Sequence, residues 1–319
     1  MDLTQILDSL RVVQLPLRTK FRGITTREVA LFEGPAGWDE FSPFLEYDDS
    51  ESANWLSSAL EAASRSEFPI HRTSIKINGT IPATDSAEEI ESLIASYPGA
   101  EAFKVKVGTD LKSDLLRLKR VKNYAPKARI RIDVNGSWSV NEAVFNIKTI
   151  YGEIGNLEYV EQPVADLESL KKLKEQLDLD VKIAGDEVLR KSKDPFAIEF
   201  DGAIDVLMLK VAPLGGIERA LSLAAHHKLP VVVSSALESA VGISHGLRLA
   251  AALPNLDYVS GLATGALFAS DVNSHEINQG AIALTSVEPN LDALERFQAP
   301  MERLDWWRER IKRCWEVLG

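Results

Sequence analysis

Short apolar runs recur through the middle of this chain with an even beat, and each is bounded by turn residues or by a segment of helical spacing. Ser74-Ile-Lys-Ile-Asn78, Ala102 to Val107, Arg129 to Val134, Leu157 to Glu161, Val181 to Ala184, Val206 to Val211, Pro230 to Ser234 and Asp257 to Ser260 carry the β-branched, alternating character of strands. Between them, Ser86-Ala-Glu-Glu89 and Ser139-Val-Asn-Glu142 show the Ser-x-x-Glu pattern that opens a helix with a capping box. Strand–helix units of roughly 25 to 30 residues predict a parallel (β/α) barrel, an α/β fold of the TIM type. Upstream the pattern differs. Val13, Leu15 and Leu17, then Val29 and Leu31, alternate with polar positions around turns at Gly23 and Gly34-Pro35, which predicts antiparallel strands, and Asp49 to Ala63 reads as a helix. A strand–strand–helix start is not a βα repeat, so residues 1–70 are expected to form a separate α+β capping domain. At the far end Leu304, Trp307, Ile311, Cys314, Trp315 and Leu318 fall on one helical face, and this last helix is expected to pack back on the body with its tryptophans in the core.

Composition narrows the picture. The 319 residues are 45% apolar and 26% charged, with a net charge of −11, and so lack the basic surplus of a nucleic-acid or anionic-membrane binder. Cys314 is the only cysteine, so no internal disulfide forms. The start of the chain is a poor signal peptide, and the longest uncharged run, Tyr258 to Ser270, is too short to span a bilayer. A cytoplasmic protein with no nucleic-acid and no membrane partner is expected, with a monomer as the working expectation.

Five ionisable residues keep the same beat as the strands: Lys106, Asp133, Glu161, Asp186 and Lys210. In a (β/α) barrel the catalytic groups sit at the C-terminal ends of successive strands. Lys104 and Lys106 lie two apart and share one face, as do Arg129, Arg131, Asp133 and Asn135. Three carboxylates at consecutive strand ends would repel one another, and a cation relieves that repulsion. With no His or Cys at these positions, oxygen donors favour Mg²⁺, with Mn²⁺ as an alternative, over zinc. Lys210 is expected nearly opposite Lys106 across the ring, so that a substrate carbon over the metal has one amine on each side. That arrangement suits removal of a proton α to a carboxylate.

Other motifs are less telling. Gly215-Gly216 opens the helix after the sixth strand, where its amides could bind an anion or simply form a turn. Gly79 is read as relaxing a turn. His226 and His227 are adjacent on a helix and are expected at the surface, while His245 shows no evident partner. A serine-hydrolase reading of Ser234 lacks a suitable His and acid.

Lys104-Val-Lys106, Asp133-Val-Asn135, Glu161-Gln-Pro163, Gly185-Asp186-Glu187 and Lys210 resemble the muconate-lactonising branch of the enolase superfamily over essentially the whole chain. Within it, Pro16-Leu-Arg-Thr19, Phe21-Arg-Gly-Ile24, Gly37 to Phe44, Ser234 to Ser239 and Gly261-Leu-Ala-Thr264 are similar to the short actinobacterial o-succinylbenzoate synthases. The resemblance implies a (β/α)7β barrel over residues 71–285, with the cap of residues 1–70 completed by part of 286–319. It implies metal ligation by Asp133, Glu161 and Asp186, with Lys106 as acid/base, Lys104 beside it and Lys210 across the ring. The Phe21 to Ile24 loop would close the site, Arg22 would meet a substrate carboxylate, and Ser234, Ser235, Gly261 and Thr264 would line the pocket for a succinyl arm. The implied reaction is dehydration of 2-succinyl-6-hydroxy-2,4-cyclohexadiene-1-carboxylate, a small anionic substrate, to o-succinylbenzoate in menaquinone biosynthesis, through an enediolate stabilised by the metal. An N-acylamino acid racemase is the alternative, followed by dipeptide epimerase and muconate cycloisomerase. A non-catalytic binding module on the same scaffold is the reading from a different class.

Overall fold

The computed structural model describes all 319 residues. It begins with a short helix, α1 (Leu3–Ser9), and a three-stranded antiparallel sheet of β1 (Arg11–Phe21), β2 (Ile24–Gly34) and β3 (Gly37–Phe41) in that order. Helix α2 (Asp49–Ser64) follows, started by Asp48, whose carboxylate accepts from the Glu51 N–H at 2.7 Å. Of the alternating positions of the sequence, Val13, Leu15, Val29 and Leu31 are fully buried and Leu17 is partly buried.

The expected first barrel strand splits in two. β4 (Ser74–Lys76) and β5 (Gly79–Ile81) are separate elements, and only β5 joins the parallel sheet. Gly79 therefore lies inside a strand and not at a turn. A Cβ there would drive into the Phe103 ring, which explains the glycine. The chain then alternates through α3 (Ala87–Ala95), β6 (Ala102–Lys106), α4 (Leu111–Tyr124), β7 (Arg129–Asp133), α5 (Val140–Ile154), β8 (Leu157–Glu161), α6 (Leu167–Gln176), β9 (Ile183–Gly185) and α7 (Glu187–Arg190). It continues through β10 (Val206–Lys210), α8 (Val211–Leu214), α9 (Ile217–His227), β11 (Val231–Ser234) and α10 (Ala240–Ala252). The seven strands β5 to β11 are hydrogen-bonded in sequence order and are parallel. The eighth position, expected as a strand over Asp257–Ser260, makes only two parallel bridges, Ile77 to Ser260 and Ser234 to Gly261, and these close the ring. The fold is a (β/α)7β barrel with an antiparallel cap.

Ser139 and Glu142 form the full capping box at α5. At α3 only half of one forms. Ser86 caps the Glu89 N–H, but the Glu89 carboxylate accepts from Thr84 Oγ1 instead of returning to Ser86.

After the barrel, β12 (Ile277–Asn278) and β13 (Ala281–Ala283) make a second antiparallel sheet with β4, and α11 (Leu291–Arg296) leads into α12 (Met301–Leu318). The last helix lies on α2. Trp307, Ile311 and Cys314 are fully buried as the spacing predicts, Leu304 and Trp315 are only partly buried, and Leu318 is exposed. Arg310 is the member of that face the apolar pattern omits: its guanidinium donates to the Phe44 and Tyr47 carbonyls and to Ser52. The C-terminal segment also adds to the edge of β1 through Gln14 N–H to Phe297 O and Ala299 N–H to Val12 O.

One half-buried acid outside the ring gives a pH-dependent expectation. Asp271 accepts from the Ala240 N–H at 3.0 Å and from the Val272 N–H at 2.6 Å, and burial pushes its carboxyl up to about 7. Its folded pKa lies above the unfolded one, so its stabilising contribution is complete below about pH 4 and is lost as pH rises through about 7. Urea titrations at about pH 5 and about pH 8 should show Asp271→Asn gaining on the parent chain at the higher pH. A constant difference would contradict this.

Candidate active site

The register of the sheet brings the expected residues onto one rim. Lys106 stands beside Asp133, and Asp133 beside Glu161; one layer deeper, Thr80, Lys104, Arg131 and Tyr159 are neighbours. Lys104, Asp133, Glu161, Asp186 and Lys210 are all buried, so both lysines of the K-x-K pair and all three acids face inward. Arg131 shares this inward face, while Arg129 is exposed at the start of the strand. The buried Arg131 guanidinium bonds Asn78 Oδ1 at 2.8 Å and the Val259 carbonyl at 2.9 Å, and pairs with Glu158 at the bottom of the barrel.

Each acid is turned toward an ammonium. Lys104 Nζ lies 3.0 Å from Glu161 and 3.2 Å from Asp133; Lys106 Nζ lies 2.5 Å from Asp133 Oδ2 and 2.5 Å from Asn135 Oδ1; Lys210 pairs with Asp186. No three acid or imidazole side chains converge into a ready-made metal cage. The ring is nonetheless strongly polarised. Burial opposes the charge on Lys104, but Glu161 and Asp133 outweigh it and hold the ammonium above its usual range. Lys106 is lowered, because burial, with Lys104 adding to it, exceeds the pull of Asp133. Burial works against Asp133 as well, yet Lys106, Lys104 and Lys210 keep it well below the usual carboxylate range. Glu161 is the acid on which the cost collects: burial, then the charge of Asp133, push it up to about 7.

A narrow cleft opens over this rim, between barrel and cap. Arg22, Lys104, Lys106, Asp133, Lys210, Ser234, Ser235, Gly261 and Thr264 all line it; Glu161 and Asp186 lie beneath. Arg22 does not reach freely into the cleft. It sits in a left-handed turn at φ +48, donates to the Tyr47 hydroxyl at 2.9 Å and stacks on the Phe44 ring. Ser235 Oγ donates to the Gly261 carbonyl at 2.7 Å and lies 2.9 Å from Thr264 Oγ1, so these residues knit the last two strand ends together. No histidine approaches Ser234. His226 and His227 stack edge to face, and His227 Nε2 meets the Pro195 carbonyl.

The comparisons with known proteins fit this arrangement. Residues 12–63 match a family described as enolase N-terminal domain-like, and residues 85–288 match one described as enolase C-terminal domain-like. The chain is 47% identical over 320 aligned positions to an o-succinylbenzoate synthase of Mycobacterium ulcerans, covering 99% of this chain and 96% of that protein. The chain belongs to the o-succinylbenzoate synthase family of the enolase superfamily. A second family member, from Mycobacterium tuberculosis, is 46% identical over 99% of this chain and 96% of its own length. Among solved structures, the muconate lactonizing enzyme of Pseudomonas putida superposes with a TM-score of 0.74 at 17% identity, covering 91% of this chain and 98% of that one. The L-Ala-D/L-Glu epimerase of Bacillus subtilis gives 0.72 at 20% identity, covering 88% and 96%. These two share the family fold.

Several residues of the cleft escape a reading of strand ends alone. Arg190 donates to Glu187 at 2.9 Å, to Glu51 at 3.2 Å and to the Tyr47 hydroxyl at 3.3 Å, and its Nε lies 3.4 Å from Asp186. Asn135 passes this network on, its Nδ2 donating to Glu187 Oε1 at 3.1 Å while its Oδ1 accepts from Lys106. Glu187 is therefore held by Arg190 and Asn135. Asn135 and Glu187 belong to the Asp133-Val-Asn135 and Gly185-Asp186-Glu187 motifs of the sequence, whereas Arg190 lies outside them and carries no local signal.

Proposed function

We propose that this chain is an o-succinylbenzoate synthase, a carbon–oxygen lyase that dehydrates 2-succinyl-6-hydroxy-2,4-cyclohexadiene-1-carboxylate to o-succinylbenzoate in menaquinone biosynthesis. The observation that carries the specific reaction is the 47% identity to such a synthase across 99% of the chain. Supporting chemistry comes from two lysines on opposed strands of the ring, β6 and β10, with three carboxylates between them in the strand order.

Asp133, Glu161 and Asp186 are read as the residues that hold a divalent cation. Their donor set is entirely carboxylate oxygen, suited to Mg²⁺ or Mn²⁺, and the buried Glu161 anion is disfavoured by Asp133 in a way that a cation relieves. When bound, the cation supplies positive charge to the substrate carboxylate whose α-proton is lost. Lys106 takes that proton, since burial favours its neutral amine and outweighs the pull of Asp133; a cation held by Asp133 would weaken that pull further. The C–H electron pair moves into the ring, the C6–O bond breaks, and Lys106 returns the proton to the departing hydroxyl, so that water leaves and the ring becomes aromatic. Lys210 stabilises charge from the opposite face. Arg22 and the Ser234–Ser235, Gly261 and Thr264 rim are read as substrate contacts. Residues 1–70 with part of 286–319 would act as the cap and 71–285 as the catalytic barrel, in a cytoplasmic enzyme.

An N-acylamino acid racemase is the second reading, favoured by the same opposed lysines, which could pass a proton from either side. Specificity constants for the cyclohexadiene acid and a panel of N-acylamino acids separate the two. The synthase reading predicts a clear preference for the cyclohexadiene acid; a preference for the amino acids would replace it and leave the proton chemistry standing.

A further inference from the structure

Two helices of the barrel begin on carboxylates from the cap. Helix α9 has no side-chain cap of its own, since Gly216 occupies its N-cap at φ +116. The Glu61 carboxylate, from α2, accepts from the Ile217 N–H and, at 3.1 Å, from the Glu218 N–H. The Gly215-Gly216 turn does bind an anion, and that anion is intramolecular. His245 Nε2 lies 3.4 Å from the same carboxylate, the partner its sequence context did not suggest.

Helix α10 is met in the same way. Its own Ser239 Oγ accepts from the Val241 N–H at 3.3 Å, while Glu40, from β3, accepts from the Ser239 N–H at 2.9 Å, the Ser239 hydroxyl at 2.5 Å and the Gly242 N–H at 3.3 Å. The first N–H groups of a helix have no internal partner, and a carboxyl oxygen satisfies them as acceptor, adding charge at the positive end of the dipole when ionised. Hydrogen bonds from His245, Ile217 and Glu218 hold Glu61 below the usual carboxylate range against burial, whereas burial pushes Glu40 up to about 7, so its charge is complete only above that pH. Glycine makes the approach possible. A Cβ on Gly216 would overlap the Glu61 carboxylate, and one on Gly242 would stand 2.9 Å from Glu40 Oε2.

These two helices follow the strands that carry Lys210 and Ser234. The intervening segment 235–239 is pinned further from the cap: buried Arg27 donates through Nε to the Leu237 carbonyl at 3.2 Å, and Leu237 is held at φ +67. Pro213, Ser234, Ser235, Ala236 and Leu237 line the cleft. We propose that Glu40 and Glu61 are positioning residues, cap side chains that complete the N-termini of two barrel helices and so fix the wall of the cleft that contacts substrate. The wall is assembled only when the cap is docked. The substrate part of this inference rests on the proposed function above.

The test uses full-length Glu40→Gln and Glu61→Gln, which keep side-chain shape and lose the anion, with the Ala variants beside them, all with Mg²⁺ present and at about pH 8.5, where the Glu40 carboxyl, pushed up to about 7 by burial, is ionised. Amide exchange at Ser239 and Gly242 in the Glu40 variants, and at Ile217 and Glu218 in the Glu61 variants, should accelerate by about tenfold or more beyond the rest of the chain, the loss expected for a charge-assisted hydrogen bond. KM for the cyclohexadiene acid should rise by about tenfold with kcat changed by less than about threefold. Uniform exchange that tracks global stability, with KM unchanged, would reduce the two residues to structural ones and overturn the proposal. If the parent chain leaves the acid untouched, the proposed reaction fails, and the local exchange pattern still decides whether the cap carboxylates order these helices.

Discussion

Lys106→Ala is expected to lower kcat for the dehydration by about 10³-fold while leaving the substrate able to bind, because the loss of a positioned general acid–base falls in that range. The side chain is part of the rim and not of the apolar core, and Asp133 keeps Lys104 at 3.2 Å when Lys106 is gone. The fold should therefore survive, as an unchanged circular dichroism spectrum and a cooperative melt would show. Lys210→Ala should be severe through a different route. It removes the group proposed to stabilise charge on the opposite face and leaves Asp186 with Arg190 as its remaining cationic neighbour. If Lys106 only held Asp133 in place, Lys106→Arg would restore most of the rate; the acid–base role predicts that it does not, since a guanidinium stays protonated.

The second large effect concerns Glu161→Gln. The buried Glu161 anion is opposed by burial and by Asp133, so the amide removes an unfavourable charge, and the metal-free variant should melt no lower than the parent above neutral pH. Its response to Mg²⁺ should differ. A ligand that binds only the folded state at about a hundred times its Kd stabilises by about 2.7 kcal/mol, and the parent should gain a shift of that order while the variant gains little. Turnover should be lost in the variant and, for the parent, after exhaustive chelation. Equal Mg²⁺ shifts in the two proteins would remove Glu161 from the ligand set.

Much of this architecture was legible because the barrel writes itself in local patterns. The alternation in Phe103 to Val107 and Ile130 to Val134 sets which side chains face inward, and the near-constant interval from Lys106 to Lys210 follows from the length of one βα unit. Where the pattern misled, the deciding contacts were distant. Ser74–Asn78 looks like one strand, but Ser74–Lys76 pairs antiparallel with Ala281–Ala283, more than two hundred residues later, and only the chain beyond it enters the barrel. The eighth strand is reduced to two bridges because it is held from both sides by Ile77 and Ser234 and not by a ladder. The site divides along the same line. Lys104, Asp133 and Glu161 announce themselves at strand ends, whereas Arg190 gains its meaning from Tyr47 and Glu51, and Gly216 from Glu61, all supplied by the cap. No local spacing encodes a contact between a cap helix and a barrel turn.

The opposed lysines on this rim are expected to support dehydration of the cyclohexadiene acid. This is tested most directly by mixing the purified chain with that acid and Mg²⁺ and following the ultraviolet spectrum of the aromatic product, beside Lys106→Ala and Lys210→Ala. Conversion to o-succinylbenzoate by the parent chain and near-complete loss in both variants are expected. Absence of product from the parent, or full turnover by Lys106→Ala, would contradict this.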